Sequence, residues 1–468
     1  MTNFPKLNHQ VPETEKPGQH IQRTMHLLET STFEHPNSVR ILFYGQSIMG
    51  GQWHKQVEDW LRERYPSVRF EIENRSIGGF SSGFLWRSAE SDLYPFAPDL
   101  FVLHVFGDHV RYEEIIARTR QWTTAEVMIL NDHWKGSQFV DGVLQENEWG
   151  IFMNRYFLPA VAKKYQCELV DIREPWMAYL KEHGYDSRAL LRDNVHLNEH
   201  GKWLMAELCK QHWLHRPDMT ERSAGLVAEY KIGRDIKFED GWLELDFHGN
   251  RVDLVTDSAG ISGLEVLVDG QPPSAHRDSY YATRNTGVVP PDAWPLLYRV
   301  VLGSDLVAQR WTLEILESDD SGKNVRFRLT GSVTGPDGEG SSTEDFVSQS
   351  GQIRIEAEDW RLPSSVKYSG IKPRPGMKSR WEVRHHGVDY YFQTTALGRE
   401  VVTTLFQVRD SGSHRIVLKA DGEVSKMLQA VRVHQPPLAP GPVSLLGINR
   451  HSTIAPDMEQ ISDPTPMN

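Results

Sequence analysis

Cysteine is nearly absent: Cys167 and Cys209 are the only two in 468 residues. Two thiols supply neither a disulfide framework nor a zinc ligand set. Each sits in an apolar run, so both are expected to be buried thiols. Long apolar runs are also missing; without about 18 consecutive apolar residues no membrane-spanning helix is expected. A basic surplus is missing too. The net charge is −12, which argues against nucleic acid and anionic membranes as partners and disfavours a strongly anionic polymer as substrate. The opening MTNFPKLNHQ lacks the basic-then-apolar build of a signal peptide. The expectation is a cytoplasmic protein, or a secreted one whose signal has been removed.

What is present divides by texture. Residues 1–37 are polar, with Pro5, Pro12, Pro17 and Pro36, and read as an N-terminal arm with a short helix around 21–28. From 38 to 216, short apolar runs at 40–44, 70–74, 100–105, 126–130 and 168–171 alternate with amphipathic segments. In HKQVEDWLRERY, for example, Val57, Trp60, Leu61 and Tyr65 recur at helical spacing. This pattern predicts an α/β fold: a parallel sheet covered on both faces, with working residues at the carboxyl ends of its strands. From 217 to 434, period-two alternation punctuated by Asp-Gly, Ser-Gly and Gly-Asn predicts an all-β region of one or two β-sandwiches. Residues 435–468 read as an irregular Pro-rich tail.

Four segments of the α/β part hold the chemistry. In RILFYGQSIMGGQW, Ser47 follows Gly45-Gln46 at a strand-to-helix corner. A serine there is either a simple helix N-cap or a nucleophile served by free N–H groups at the helix start. In ENRSIGGFSSG, Asn74 ends a strand and Gly78-Gly79 opens a loop. In DLFVLHVFGDH an apolar strand ends at Gly107-Asp108-His109. In LLRDNVHLNEHG, Asp193 stands three residues before His196. At that spacing the carboxylate can accept from one ring nitrogen and leave the other free as a base. Ser47 is the matching nucleophile, and the N–H groups of Ser47 and Gly79 can face an oxyanion.

The order and spacing of these blocks resemble the SGNH (GDSL-like) hydrolase superfamily over about 40–214. The resemblance implies a three-layer, flavodoxin-like domain, with Ser47 as nucleophile, Asp193 and His196 as acid and base, and Gly79 in the oxyanion hole. Gln46, where many members carry Asp, is similar to the carbohydrate-esterase branches, some of which carry a trailing β-sandwich and deacetylate polysaccharides. The implied function is a serine ester hydrolase that removes acyl groups, acetyl first, from a carbohydrate without any cofactor.

One block departs from the pattern. Where the family places an Asn amide as oxyanion donor, this chain has Asp108. An ionised carboxylate only accepts hydrogen bonds. Asp108 is then protonated and donates, or it pairs with His109 or His104 and leaves a two-donor hole, or the site serves other chemistry. The last reading keeps two alternatives open: a carbohydrate-binding protein with a decayed hydrolase site, and a glycosidase or lyase using Asp108 or His109. His104 reads as a satisfied core histidine and His200 as a surface residue. Gln46, His109 and the strand-end run Asp132, His133 and Trp134 are candidate substrate contacts. Phe80, Phe84 and Trp86 line a pocket or pack a helix. The histidines and Asp132 lack any local metal-ligand spacing, so no metal is expected.

Overall fold

The computed structural model describes residues 4–136, 139–140, 143–144, 148–219, 225–256, 261–288, 294–393, 401–420 and 422–448. The lead-in segment carries α1 (Gln22–Glu29). The first-turn N–H groups of Arg23 and Thr24, which have no acceptor within the helix, donate to the buried carboxylate of Glu126 at 2.8 Å, as helix N-termini favour. The α/β unit then runs β1 (Ser38–Gly45), α2 (Ser47–Gly50), α3 (His54–Arg64), β2 (Arg69–Asn74), α4 (Ser82–Asp92), β3 (Leu100–His104), α5 (His109–Trp122) and β4 (Glu126–Leu130). A hairpin of β5 (Phe139–Val140) and β6 (Val143–Leu144) leads to α6 (Glu148–Ile151), a π-helical turn over Phe152–Phe157 and α7 (Leu158–Tyr165). β7 (Glu168–Val170), α8 (Arg173–Glu182) and α9 (Glu199–Lys210) complete it.

Five of these strands form one parallel sheet in the order β2-β1-β3-β4-β7. Side chains of β1 alternate as the period of two requires. Ile41 and Phe43 enter a core with Met25 and Leu28 of α1, Val57 and Leu61 of α3, Trp176 of α8 and Leu204 of α9. Leu42 and Tyr44 enter the opposite core with Leu85 of α4, Ile115 of α5 and Val161 of α7. The chain leaves β1 toward β2 on one side and reaches β3 on the other, which opens a crevice at the carboxyl ends of β1 and β3. Cys167 and Cys209 are both buried thiols, pushed up to about 12 by burial.

The following region is β-rich and antiparallel. β8 (Val227–Lys231), β9 (Trp242–Thr256) and β10 (Ile261–Val268) belong to a six-stranded sheet. The chain then leaves this sheet for β11 (Tyr280–Ala282), β12 (Val301–Leu302), β13 (Gln309–Ser318), β14 (Val325–Gly331), β15 (Gly335–Ser341), β16 (Phe346–Val347), β17 (Ile353–Ile355) and β18 (Lys378–His385). These strands form a five-stranded and a three-stranded sheet around one shared core that includes Trp311, Phe327, Ile353 and Trp381. Only afterwards do β19 (Tyr390–Gln393), β20 (Val401–Lys419) and β21 (Leu428–His434) finish the first sheet, in the order β19-β10-β20-β9-β21-β8. One β unit is thus inserted into another.

The Pro-rich end is no loose coil over its described part. Residues 436–448 return to the α/β unit and lie along α5. The Leu438 N–H donates to Arg120 O at 3.1 Å. Gln121 Nε2 donates to the carbonyls of Ala439 and Gly441, and the Leu446 N–H donates to Glu113. Leu438, Val443, Leu445, Leu446 and Ile448 pack on the core beneath. Among the described residues no helix is long and apolar enough to cross a membrane.

Candidate active site

β1 ends at Gly45, and nothing larger fits there. A Cβ would lie 2.0 Å from His104 O on the neighbouring strand. The chain turns through Gln46 directly into α2, which places Ser47 at the sheet's carboxyl edge. Asn74 at the end of β2 braces this corner. Its amide donates to Met49 O at 3.0 Å and to His54 Nδ1 at 2.9 Å, and its Oδ1 accepts from the Ser76 N–H.

Burial pushes the His54 imidazole down from 6.5 to about 4. Between those values the unfolded chain binds a proton that the native state refuses, so stability falls as pH drops through the window. The shift corresponds to about 3 kcal/mol. Denaturant titrations from pH 7 to pH 4 are expected to show wild type losing up to that much more stability than His54→Gln.

The other side of the site comes from the loop before α9. Leu190, Leu191 and Leu197 anchor it in the core. Asn198 caps α9 by accepting from the Gly201 N–H. Between these anchors, Asp193 Oδ1 accepts the backbone N–H of Val195 at 2.8 Å and of His196 at 2.7 Å. Asp193 Oδ2 stands 2.9 Å from His196 Nδ1, and His196 Nε2 stands 3.0 Å from Ser47 Oγ. The backbone N–H donors, followed by the His196 ring, hold the Asp193 carboxyl well below the usual carboxylate range. Asp193 therefore remains an acceptor, Nδ1 keeps its proton, and Nε2 offers a lone pair to the serine. The three groups form an unbroken line from carboxylate to hydroxyl.

Gly79 follows β2 with φ +77°, a left-handed conformation that favours glycine. Neither its N–H nor that of Ser47 donates to another described residue. Asp108 does something other than the sequence expectation. Its carboxylate accepts the N–H groups of Val110 at 2.9 Å and Arg111 at 3.1 Å and so caps α5. Among the described residues it makes no hydrogen bond with His109 or His104. An Asp directly before a helix is a standard N-cap, and that local signal was available in the sequence.

The remaining candidates scatter. Gln46 stays beside Ser47 and half-buried. His109 donates from Nε2 to Ile448 O at 2.9 Å, with Trp149, Phe152 and Phe157 around its ring. His133 is wholly buried, and Trp134 is covered by the Arg173 guanidinium at 4.6 Å. Neither offers a face to a substrate, because the chain turns inward after β4. His104 is buried, yet neither ring nitrogen has a hydrogen-bond partner among the described residues. Burial lowers its pKa. Asp132 lies beside both imidazoles, its Oδ1 3.7 Å from His104 Nε2 and 3.2 Å from His133 Nδ1. His200 is not a free surface residue: Phe4 stacks on it at 4.3 Å and it meets Tyr179 Oη at 2.7 Å.

No protein-family model matches the chain, and no curated protein matches it. Among solved structures the chain is similar to a two-domain esterase active on acetylated mannans, at 13% identity over 89% of this chain and 95% of that one, TM-score 0.37. It is also similar to the acetyl xylan esterase AlAXEase, at 21% identity over 37% of this chain and 98% of that one, TM-score 0.32. A third is Axe2, an acetylxylan esterase from Geobacillus stearothermophilus, at 15% identity over 40% of this chain and 98% of that one, TM-score 0.33. At such identities and scores none of the three assigns an activity, and the reading of the site rests on its own geometry.

One neighbour of the site comes from the inserted β unit and was invisible in the sequence. Trp294 Cζ2 lies 4.0 Å from where a Cβ on Gly79 would sit. The Arg361 guanidinium sits over both Trp294 and Phe80, at 4.1 and 4.4 Å from their ring centres. Phe84 stacks on Tyr298 at 4.9 Å. Phe80 and Phe84 thus serve the contact between units.

Proposed function

We propose that the protein is a serine ester hydrolase acting on an acylated carbohydrate, with acetyl as the acyl group. The observation that carries this is the continuous Asp193–His196–Ser47 line at the carboxyl edge of the sheet, with distances of 2.9 and 3.0 Å. His196 Nε2 takes the Ser47 proton as Oγ attacks the ester carbonyl. The resulting oxyanion faces the N–H groups of Ser47 and Gly79. His196 then gives the proton to the departing sugar hydroxyl, and water, activated the same way, releases acetate. With Asp108 engaged in capping, the hole has two backbone donors and no side-chain amide from that block. Asp108 Oδ1 is engaged in capping and His109 Nε2 in a bond to Ile448 O, which counts against the glycosidase or lyase alternative.

The deciding experiment measures acetate release from acetylated manno- and xylo-oligosaccharides. Acetate with intact sugar chains supports the reading; shortened chains without acetate overturn it. Trp294 beside the Gly79 loop is proposed to limit acyl length. Trp294→Ala is expected to raise kcat/KM for a butyryl ester relative to the acetyl ester about tenfold, the scale of one or two methylenes in an apolar pocket. An unchanged ratio places Trp294 outside the acyl pocket.

A further inference from the structure

Three side chains outside the Ser47 line meet at the ends of β3 and β4. His104 closes β3, and Asp132 and His133 follow β4. Both imidazoles are fully buried, and Asp132 keeps 13% of its side chain exposed. Asp132 Oδ1 lies 3.2 Å from His133 Nδ1 and 3.7 Å from His104 Nε2. Among the described residues that oxygen, His133 Nδ1 and both nitrogens of His104 lack a hydrogen-bond partner. Buried polar atoms are paired in roughly nine cases of ten, so four orphans in one small volume call for an occupant.

His133 shows the sign of the missing charge. Its Nε2 lies 2.9 Å from the Val195 carbonyl and therefore donates. In the neutral ring Nδ1 then holds a lone pair, aimed at a carboxylate oxygen 3.2 Å away. Two lone pairs in that position repel, and a cation between them turns repulsion into binding. A metal-bound histidine commonly donates its other N–H to a backbone carbonyl, as His133 does. The spacing fits as well. A tetrahedral ion with bonds of about 2.0–2.2 Å sets neighbouring ligand atoms roughly 3.3–3.6 Å apart, against 3.2 and 3.7 Å here. One ligand atom of each residue lies within 4.8 Å of the others.

We propose that His104, His133 and Asp132 bind one divalent transition-metal ion, zinc by the character of the ligands, through Nε2, Nδ1 and Oδ1. Lys135 Nζ, 2.5 Å from Asp132 Oδ2, takes the carboxylate's other oxygen, so Asp132 contributes a single ligand atom. The fourth position takes water. The ion fixes the His133 ring, whose Nε2–H holds Val195, the residue before His196. It is a brace for the loop that carries the base. Sequence spacing gave no sign of it because the ligands come from two separate strand ends.

The test is calorimetric titration of chelator-treated, full-length protein with zinc chloride alone, with melting followed in parallel. One ion per chain and a raised Tm are expected. His104→Ala and Asp132→Asn should each weaken binding at least tenfold. Should a variant misfold, cobalt(II) titration of wild type decides, because a tetrahedral site with two nitrogens and one oxygen gives strong visible bands. Folded wild type that takes up neither metal, or binding unchanged in both variants, overturns the proposal. No substrate enters the measurement, so failure of the esterase reading leaves this result untouched.

Discussion

Ser47→Ala is expected to lower turnover of a small activated acetyl ester by about four to six orders of magnitude, the scale seen when the nucleophile of a serine–histidine–carboxylate unit is removed. The alanine keeps the corner, since the hydroxyl is only half-buried and Gly45, Asn74 and α2 are untouched. KM should move little and melting not at all, which separates lost chemistry from lost fold. Asp193→Asn should cost about two to four orders, because an amide can present its N–H to Nδ1 and favour the wrong ring tautomer. A Ser47→Ala protein retaining more than a tenth of wild-type activity would falsify the serine mechanism.

Arg284→Met is expected to destabilise the protein by about 3–5 kcal/mol, the cost of leaving one partner of a buried ion pair behind. Arg284 belongs to the inserted β unit and reaches across to Asp92 at the end of α4, with contacts of 2.8 and 2.7 Å. Asp92 is 2% exposed, and its other donor is Tyr44 Oη at 3.1 Å. Without the guanidinium the carboxylate stays buried one residue from Gly45 by way of Tyr44. The double variant Asp92→Leu/Arg284→Met should regain most of the loss, since a pair replaced by apolar groups no longer leaves a charge unpaired. Chemical denaturation of the three proteins measures both effects. A double variant as unstable as the single one would mean that packing around Arg284, not its charge, holds the units together.

What could be read without the structure was what is local. The five parallel strands announced themselves through short apolar runs separated by helical periods. The Asp193-x-x-His196 spacing and the Gly-Gln-Ser47 corner are each contained within a few residues. What escaped reading depends on distant neighbours. Alternation identifies strands but not their partners, so the nesting of one β unit inside another left no trace between β10 and β19. Pro-rich sequence reads as irregular whether it is free or bound, so the clasp of 436–448 on α5 was hidden. His104 looked like an ordinary core histidine because its companions, Asp132 and His133, arrive only when β3 and β4 pair. Asp108 misled for another reason: it was weighed against the Asn of the family pattern, while its place directly before α5 already marked it as a helix cap.

The clasp has a consequence for how the protein is made. Glu113 in α5 and Leu446, which bond to each other, are 333 positions apart. At about 5–20 residues per second of synthesis, α5 waits roughly fifteen seconds to a minute before its cover is translated. During that interval the apolar side chains that later lie under Leu438, Leu445 and Ile448 face the surroundings. Contacts of such sequence separation also slow folding in general. Residues 436–448 thus act as a clock on the nascent protein, setting how long the α/β unit stays exposed to aggregation or to chaperones.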